Sequence, residues 1–201
     1  MTRNRQMIVL SGLLVLGILS LVACLFLWPS RAVSDSCPTP VKASETYATD
    51  EEGHVFTAQS LLGSPILLFF GFTHCPEVCP TTLNDISRWL EALGKDADKL
   101  KIVFVTVDPE RDTPEQLKNY LSSFDKRIRG VVPTPCNLTA ITKKYHIFYE
   151  KVQLEHGEYS VDHDASILLL NANGDKVGTL NYQESDEIAH AKLERLVALA
   201  K

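Results

Sequence analysis

Positive charge is in short supply. With 20 Lys and Arg against 25 Asp and Glu, the 201-residue chain carries a formal net charge of −5, which excludes the basic face a nucleic-acid binder presents. No internal repeat is present, so this length allows one folded domain and a modest extra segment. Charge of either sign is missing from Met7 to Trp28. At ~1.5 Å per residue that run reaches about 33 Å, enough to cross a hydrocarbon core. No Ala-x-Ala site closes it, which argues against a cleaved signal peptide.

Arg3 and Arg5 precede the run and Arg31 alone follows closely. The positive-inside bias therefore puts residues 1–6 in the cytoplasm, a single transmembrane anchor at 7–28, and the rest in the periplasm or an equivalent space. Leu21-Val22-Ala23-Cys24 also resembles a bacterial lipoprotein box, which would make Cys24 the lipidated residue, although Leu25–Trp28 continues the apolar run. Both alternatives place the domain on the same side of an inner membrane. Residues 29–45 hold three prolines and little periodicity and read as a flexible linker. Residues 46–201 read as the folded domain.

Cysteine is sparse too, with five residues, and two of them stand close together in Gly71-Phe72-Thr73-His74-Cys75-Pro76-Glu77-Val78-Cys79-Pro80. The apolar run Pro65–Phe70 precedes this stretch, and Leu83, Ile86, Trp89, Leu90 and Leu93 recur after it at helical spacing. The pair thus sits where a buried strand hands over to a helix. Proline after each cysteine makes Cys79 the expected N-cap with Pro80 at the first helical position. A thiolate at Cys79 would then be favoured by the helix dipole. Two such sulfurs can share a metal or close to a disulfide. Outside the cytosol, a redox or metal duty for the close pair gains weight. Cys37 and Cys136 remain to pair with each other, a bond that sequence alone does not establish.

A short hairpin is expected around Glu51-Glu52-Gly53, then a buried strand over Pro65–Phe72 and a helix from Cys79 to its C-cap at Gly94. Lys101–Val107 reads as a second buried strand. Thr113-Pro114-Glu115-Gln116 is a capping box that starts a helix running to about Phe124. Thr134–Lys144 suggests a short helix, and His146–Val152 with Tyr159–Val161 a hairpin around Glu155–Glu158. Ser166–Leu170 and Lys176–Leu180 are further strands. A last helix carries Ile188, Leu193, Leu196 and Val197. The result is an α/β domain, a thioredoxin-like mixed sheet flanked by helices, with an N-terminal membrane anchor helix in front. Three residues separate the cysteines, where thioredoxin has two.

Three motifs occur in order: Gly71–Pro80, Val107-Asp-Pro-Glu-Arg-Asp-Thr-Pro114 and Val161-Asp-His163. Together they resemble the Sco (SenC) family of copper-binding proteins, over roughly Thr46 to the C-terminus. The resemblance implies a metallochaperone that helps assemble the dinuclear copper centre of cytochrome c oxidase. Cys75, Cys79 and His163 would be its metal ligands, copper(I) or copper(II) its cargo, and the copper-carrying oxidase subunit, with other copper carriers, its partners.

Two thiolates and an imidazole form a soft set that suits copper. The alternative is a thiol–disulfide oxidoreductase in which Cys75 and Cys79 are the redox-active pair and keep the oxidase subunit's cysteines reduced. For that role the histidine is dispensable. His74 is expected to position its loop, and His54, His146, His156 and His190 to face solvent. Asp108, Arg111 and Asp112 could order the cysteine loop, meet a partner, or form a salt-bridged helix start. Asp50, Glu51 and Glu52 read as solubilising surface.

Overall fold

The computed structural model describes residues 48–200. The expected anchor at 7–28, the linker at 29–45, Cys24 and Cys37 lie outside the described residues. Among the described residues no helix is long and apolar enough to cross a membrane.

Six consecutive buried residues, Ile66–Gly71, form strand β3 at the centre of the sheet. Strands β1 (Ala48–Asp50) and β2 (Val55–Phe56) make the expected N-terminal hairpin. They are followed by β4 (Lys101–Thr106), β5 (Ile128–Pro133), β8 (Ile167–Leu170) and β9 (Lys176–Leu180). The seven strands lie in the order β2-β1-β5-β4-β3-β8-β9. The β3–β4 and β4–β5 pairs are parallel, and every other neighbouring pair in this sheet is antiparallel. A separate two-stranded sheet pairs β6 (Tyr149–Gln153) with β7 (Tyr159–His163).

Strand alternation divides the core in two. Leu67 and Phe69 point to one face, with α1 (Val78–Leu93), α2 (Pro114–Leu121) and α4 (Asp186–Val197). Ile66, Leu68 and Phe70 point to the other, with α3 (Pro135–Tyr145) and Val161 of β7. Each fully buried aliphatic or aromatic side chain contributes about 1.5–3 kcal/mol. Both faces of β3 are therefore anchored, and its C-terminal end is a firm platform for whatever follows. The result is the thioredoxin-like mixed sheet flanked by helices that the sequence pattern implies.

Several local expectations change. Helix α1 begins at Val78 with Glu77 as N-cap, so Cys79 is its second residue and not the cap. Pro80 still fits, because the first-turn N–H groups have no helical partner. Helix α2 starts on its capping box, Gln116 N–H donating to Thr113 Oγ1 at 3.2 Å and Thr113 N–H to Gln116 Oε1 at 2.9 Å. It ends at Leu121, short of Phe124. His146 is the left-handed C-cap of α3 at φ 55°, outside the following strand. Ile188 is exposed, and α4 buries Ala189, Leu193, Leu196 and Val197. Strand β5, which hydrophobic periodicity does not single out, contains Gly130. A Cβ there would lie 2.7 Å from both Leu117 and Leu121 of α2, so glycine is what lets that helix close onto the sheet.

The acidic turn also does more than face water. Asp50 accepts from the N–H groups of Glu52 (3.0 Å) and His54 (2.8 Å), which shapes the β1–β2 turn. Glu51 accepts from Arg129 Nε and from Gly130 N–H at 2.9 Å.

Candidate metal centre

The chain leaves β3 at Gly71 and makes a tight turn, Cys75 N–H donating to Phe72 O at 3.2 Å. Helix α1 starts immediately afterwards with no capping side chain on Glu77. Its place is taken by sulfur: Cys79 N–H donates to Cys75 Sγ at 3.3 Å. The positive end of the helix thus faces Cys75 and not Cys79. Cys75 is half-buried and packs against both halves of the core, whereas Cys79 is fully buried.

Electrostatics follow that placement and reverse the expectation for Cys79. The Cys75 thiol is held down to about 4, first by the hydrogen bond with the Cys79 side chain. His163 and the backbone N–H groups of Cys79 and Glu77 add to this, against the burial that opposes it. Cys79 moves the other way, because its thiol is hydrogen-bonded to the anionic Cys75 sulfur and because it is buried. One proton shared by two sulfurs leaves Cys75 as the thiolate.

His163 ends β7, opposite Tyr149 of β6. Its Nε2 lies 3.4 Å from Cys79 Sγ. Its Nδ1 lies 2.8 Å from Asp164 O, a carbonyl that can only accept, so Nδ1 donates there and Nε2 is the ring nitrogen turned to the sulfurs. The ring packs edge-on against Phe72 at 5.7 Å and Phe69 at 6.4 Å between centroids. The donor atoms of Cys75, Cys79 and His163 all lie within 4.8 Å of one another. Donors around one three-coordinate soft ion, bound at ~2.0–2.3 Å, stand roughly 3.5–4 Å apart, so small adjustments suffice.

The Asp-Pro-Glu-Arg-Asp-Thr segment braces both halves of this group. Buried Asp112 accepts from Thr73 N–H at 3.0 Å, Thr73 Oγ1 at 2.6 Å and Thr106 Oγ1, which fixes the cysteine loop. His74 lies beside it, Nδ1 3.7 Å from Asp112 Oδ1 and 3.1 Å from Thr73 Oγ1, and stays outside the donor group, as expected for a loop-positioning residue. Asp108 and Arg111 reach the histidine hairpin through Tyr159. His54, His146 and His156 are exposed, and the half-buried His190 pairs with Glu194 at 3.5 Å. Sequence reasoning missed Phe69 and Phe72 as the seat of the imidazole and Tyr159 as the anchor of its hairpin. Their signal is aromatic character in or beside a strand, which also marks an ordinary core. Cys136 is disulfide-bonded, and its expected partner Cys37 lies outside the described residues.

Comparison with known proteins points to one family. The chain is 37% identical over 127 residues to an SCO2-like protein of Rickettsia felis, a match spanning 62% of each. The structure of Bradyrhizobium japonicum ScoI with copper bound shares 45% identity and a TM-score of 0.70, over 75% of this chain and 96% of that one. Copper-bound yeast Sco1 shares 31% identity and a TM-score of 0.69, over 79% and 90% respectively. The SCO1/SenC family model matches residues 39–198. Sequence, sheet topology and the placement of two thiols and an imidazole thus lead to one conclusion: the chain belongs to the SCO1/SenC family.

Proposed function

We propose that the protein is a copper metallochaperone in which Cys75, Cys79 and His163 bind one copper ion and pass it to the copper-carrying subunit of cytochrome c oxidase. The observation that carries this reading is the convergence of two sulfurs and an imidazole nitrogen within 4.8 Å at the end of β3. Thiolate sulfur favours copper(I), and imidazole makes copper(II) acceptable as well. Three protein donors leave a side open for an incoming ligand, which exchange between proteins requires. The anchor at 7–28 would tether the domain at the membrane surface where the oxidase is assembled.

Copper stoichiometry tests the reading. The reduced wild-type protein is expected to bind one copper per chain, and Cys75→Ser to lose tight binding with the fold intact. Unchanged binding in both Cys75→Ser and His163→Ala ends the proposal.

A second reading is favoured by the unequal thiols: a half-buried thiolate at Cys75 beside a buried thiol at Cys79. In a thiol–disulfide oxidoreductase, Cys75 would attack a substrate disulfide and Cys79 would resolve the mixed disulfide, leaving the pair oxidised and the substrate reduced. His163→Ala separates the two: exchange survives it and copper(II) retention does not.

A further inference from the structure

Among the described residues the histidine hairpin, β6 with β7, forms a two-stranded sheet of its own beside the seven-stranded one. Phe148, Glu150, Val152 and Leu154 on its outer side are exposed, so the inner side must hold it. There Val161 is buried, and Tyr149 and Tyr159 pack partly buried against the core. Arg111 supplies the polar hold. Its Nη1 donates to Tyr159 O at 2.9 Å, and its guanidinium lies 3.8 Å from the Tyr159 ring centroid. The same group lies 5.8 Å from the ring of Phe72, against which the His163 imidazole stands edge-on. One side chain therefore touches both the strand that carries His163 and the ring that His163 leans on.

Arg111 is itself fixed. Its Nε donates to Asp108, which is fully buried and also accepts from Tyr159 Oη at 2.8 Å. Asp108 N–H donates to Thr106 Oγ1 at 3.0 Å and Arg111 N–H to Asp108 O at 3.2 Å, which ties the bracket to the end of β4. Arg111 Nη2 is buried without a hydrogen-bond partner among the described residues.

We infer that Arg111, braced by Asp108, is the positioning residue that keeps His163 within reach of Cys75 and Cys79, and that it thereby sets the preference of the site between copper(I) and copper(II). The metal half of this inference rests on the function proposed above; the positional half does not. Two thiolates alone satisfy copper(I), whereas copper(II) calls for the imidazole. Release of the hairpin therefore removes one oxidation state and spares the other.

The test compares reduced, metal-free wild type with Arg111→Met, which keeps bulk and removes every side-chain donor. Arg111→Met/Asp108→Asn serves if the single variant fails to fold, because it leaves no buried carboxylate unpaired. Lys118→Met on α2, which loses only a surface pair with Glu52, is the control. In Arg111→Met the His163 ring protons should lose the shifts imposed by Phe69 and Phe72. Amides of 159–163 should exchange about tenfold faster or more, with the β3 and β4 amides unchanged. The copper(II) sulfur charge-transfer band should weaken by about tenfold or more in affinity, with one copper(I) still bound. Arg111→Lys, lacking the planar fork, should restore none of these readouts. Unchanged His163 shifts and hairpin exchange in a folded Arg111 variant overturn the inference, as does the same loss in Lys118→Met. The shifts and exchange are read without metal, so a wild type that fails to bind copper would refute the proposed function and leave the positioning role standing on its own data.

Discussion

Cys79 Sγ rests against the bare α-carbon of Gly71: a Cβ built there would lie 2.7 Å from the sulfur and 2.8 Å from the Phe104 ring. The strand end has been kept empty so that the buried thiol can turn toward Cys75 and His163. Gly71→Ala should therefore cost about 1–3 kcal/mol of stability by overpacking. It should also weaken copper binding by about tenfold or more through displacement of the sulfur. Chemical denaturation and a copper competition assay read the two effects, and an unchanged affinity would show that the contact is incidental.

The unequal thiols give a pH signature. With the Cys75 value near 4, its thiolate is fully formed well below neutrality. Alkylation of metal-free, reduced protein by iodoacetamide should be nearly flat between about pH 6 and pH 8, whereas an ordinary thiol of pKa about 8.5 loses roughly tenfold per unit over that range. Cys79→Ala removes the largest lowering influence, so Cys75 should regain pH dependence. A tenfold-per-unit slope in the wild type would contradict the assignment.

Acid stability offers a test remote from the site. Asp125 accepts from Arg127 Nε at 2.9 Å and Nη2 at 2.6 Å. The hydrogen bonds from Arg127 hold its carboxyl below the usual range. A depressed folded value means stabilisation that is complete above the unfolded value of about 3.9 and is lost as pH falls through the folded one. The stability gap between wild type and Asp125→Asn, from urea unfolding, should hold constant from pH 6 to about pH 5 and then narrow toward pH 2. A gap of constant size would mean that the pair contributes nothing through its charge.

The parts of this architecture legible in the sequence are those encoded by short-range chemistry. Pro65–Phe70 could only be a strand covered on both faces, and Thr113 to Gln116 could only open a helix. Cys75, Cys79 and His163 were named together by motif resemblance, since spacing says nothing about a side chain 84 positions from Cys79. What stayed hidden depends on tertiary packing. Strand β5 escaped because Gly130 breaks its apolar alternation for the sake of Leu117 and Leu121 on a neighbouring helix. The wrong thiol looked reactive because the proline rule placed Cys79 at the helix cap, while the folded turn brings Cys75 Sγ over that helix end instead. Glu51 looked like solvent dressing because its partners, Arg129 and Gly130, lie on another strand. Asp108 and Arg111 were open between three readings, and only the folded hairpin shows that they grip Tyr159.

Cys75 packs against both halves of the core at once. A disturbance on either side of the sheet is therefore transmitted to one sulfur atom. Any optical or magnetic signal arising at that atom becomes a strain gauge for the domain, able to register a loosened helix on one flank or a shifted hairpin on the other before unfolding begins.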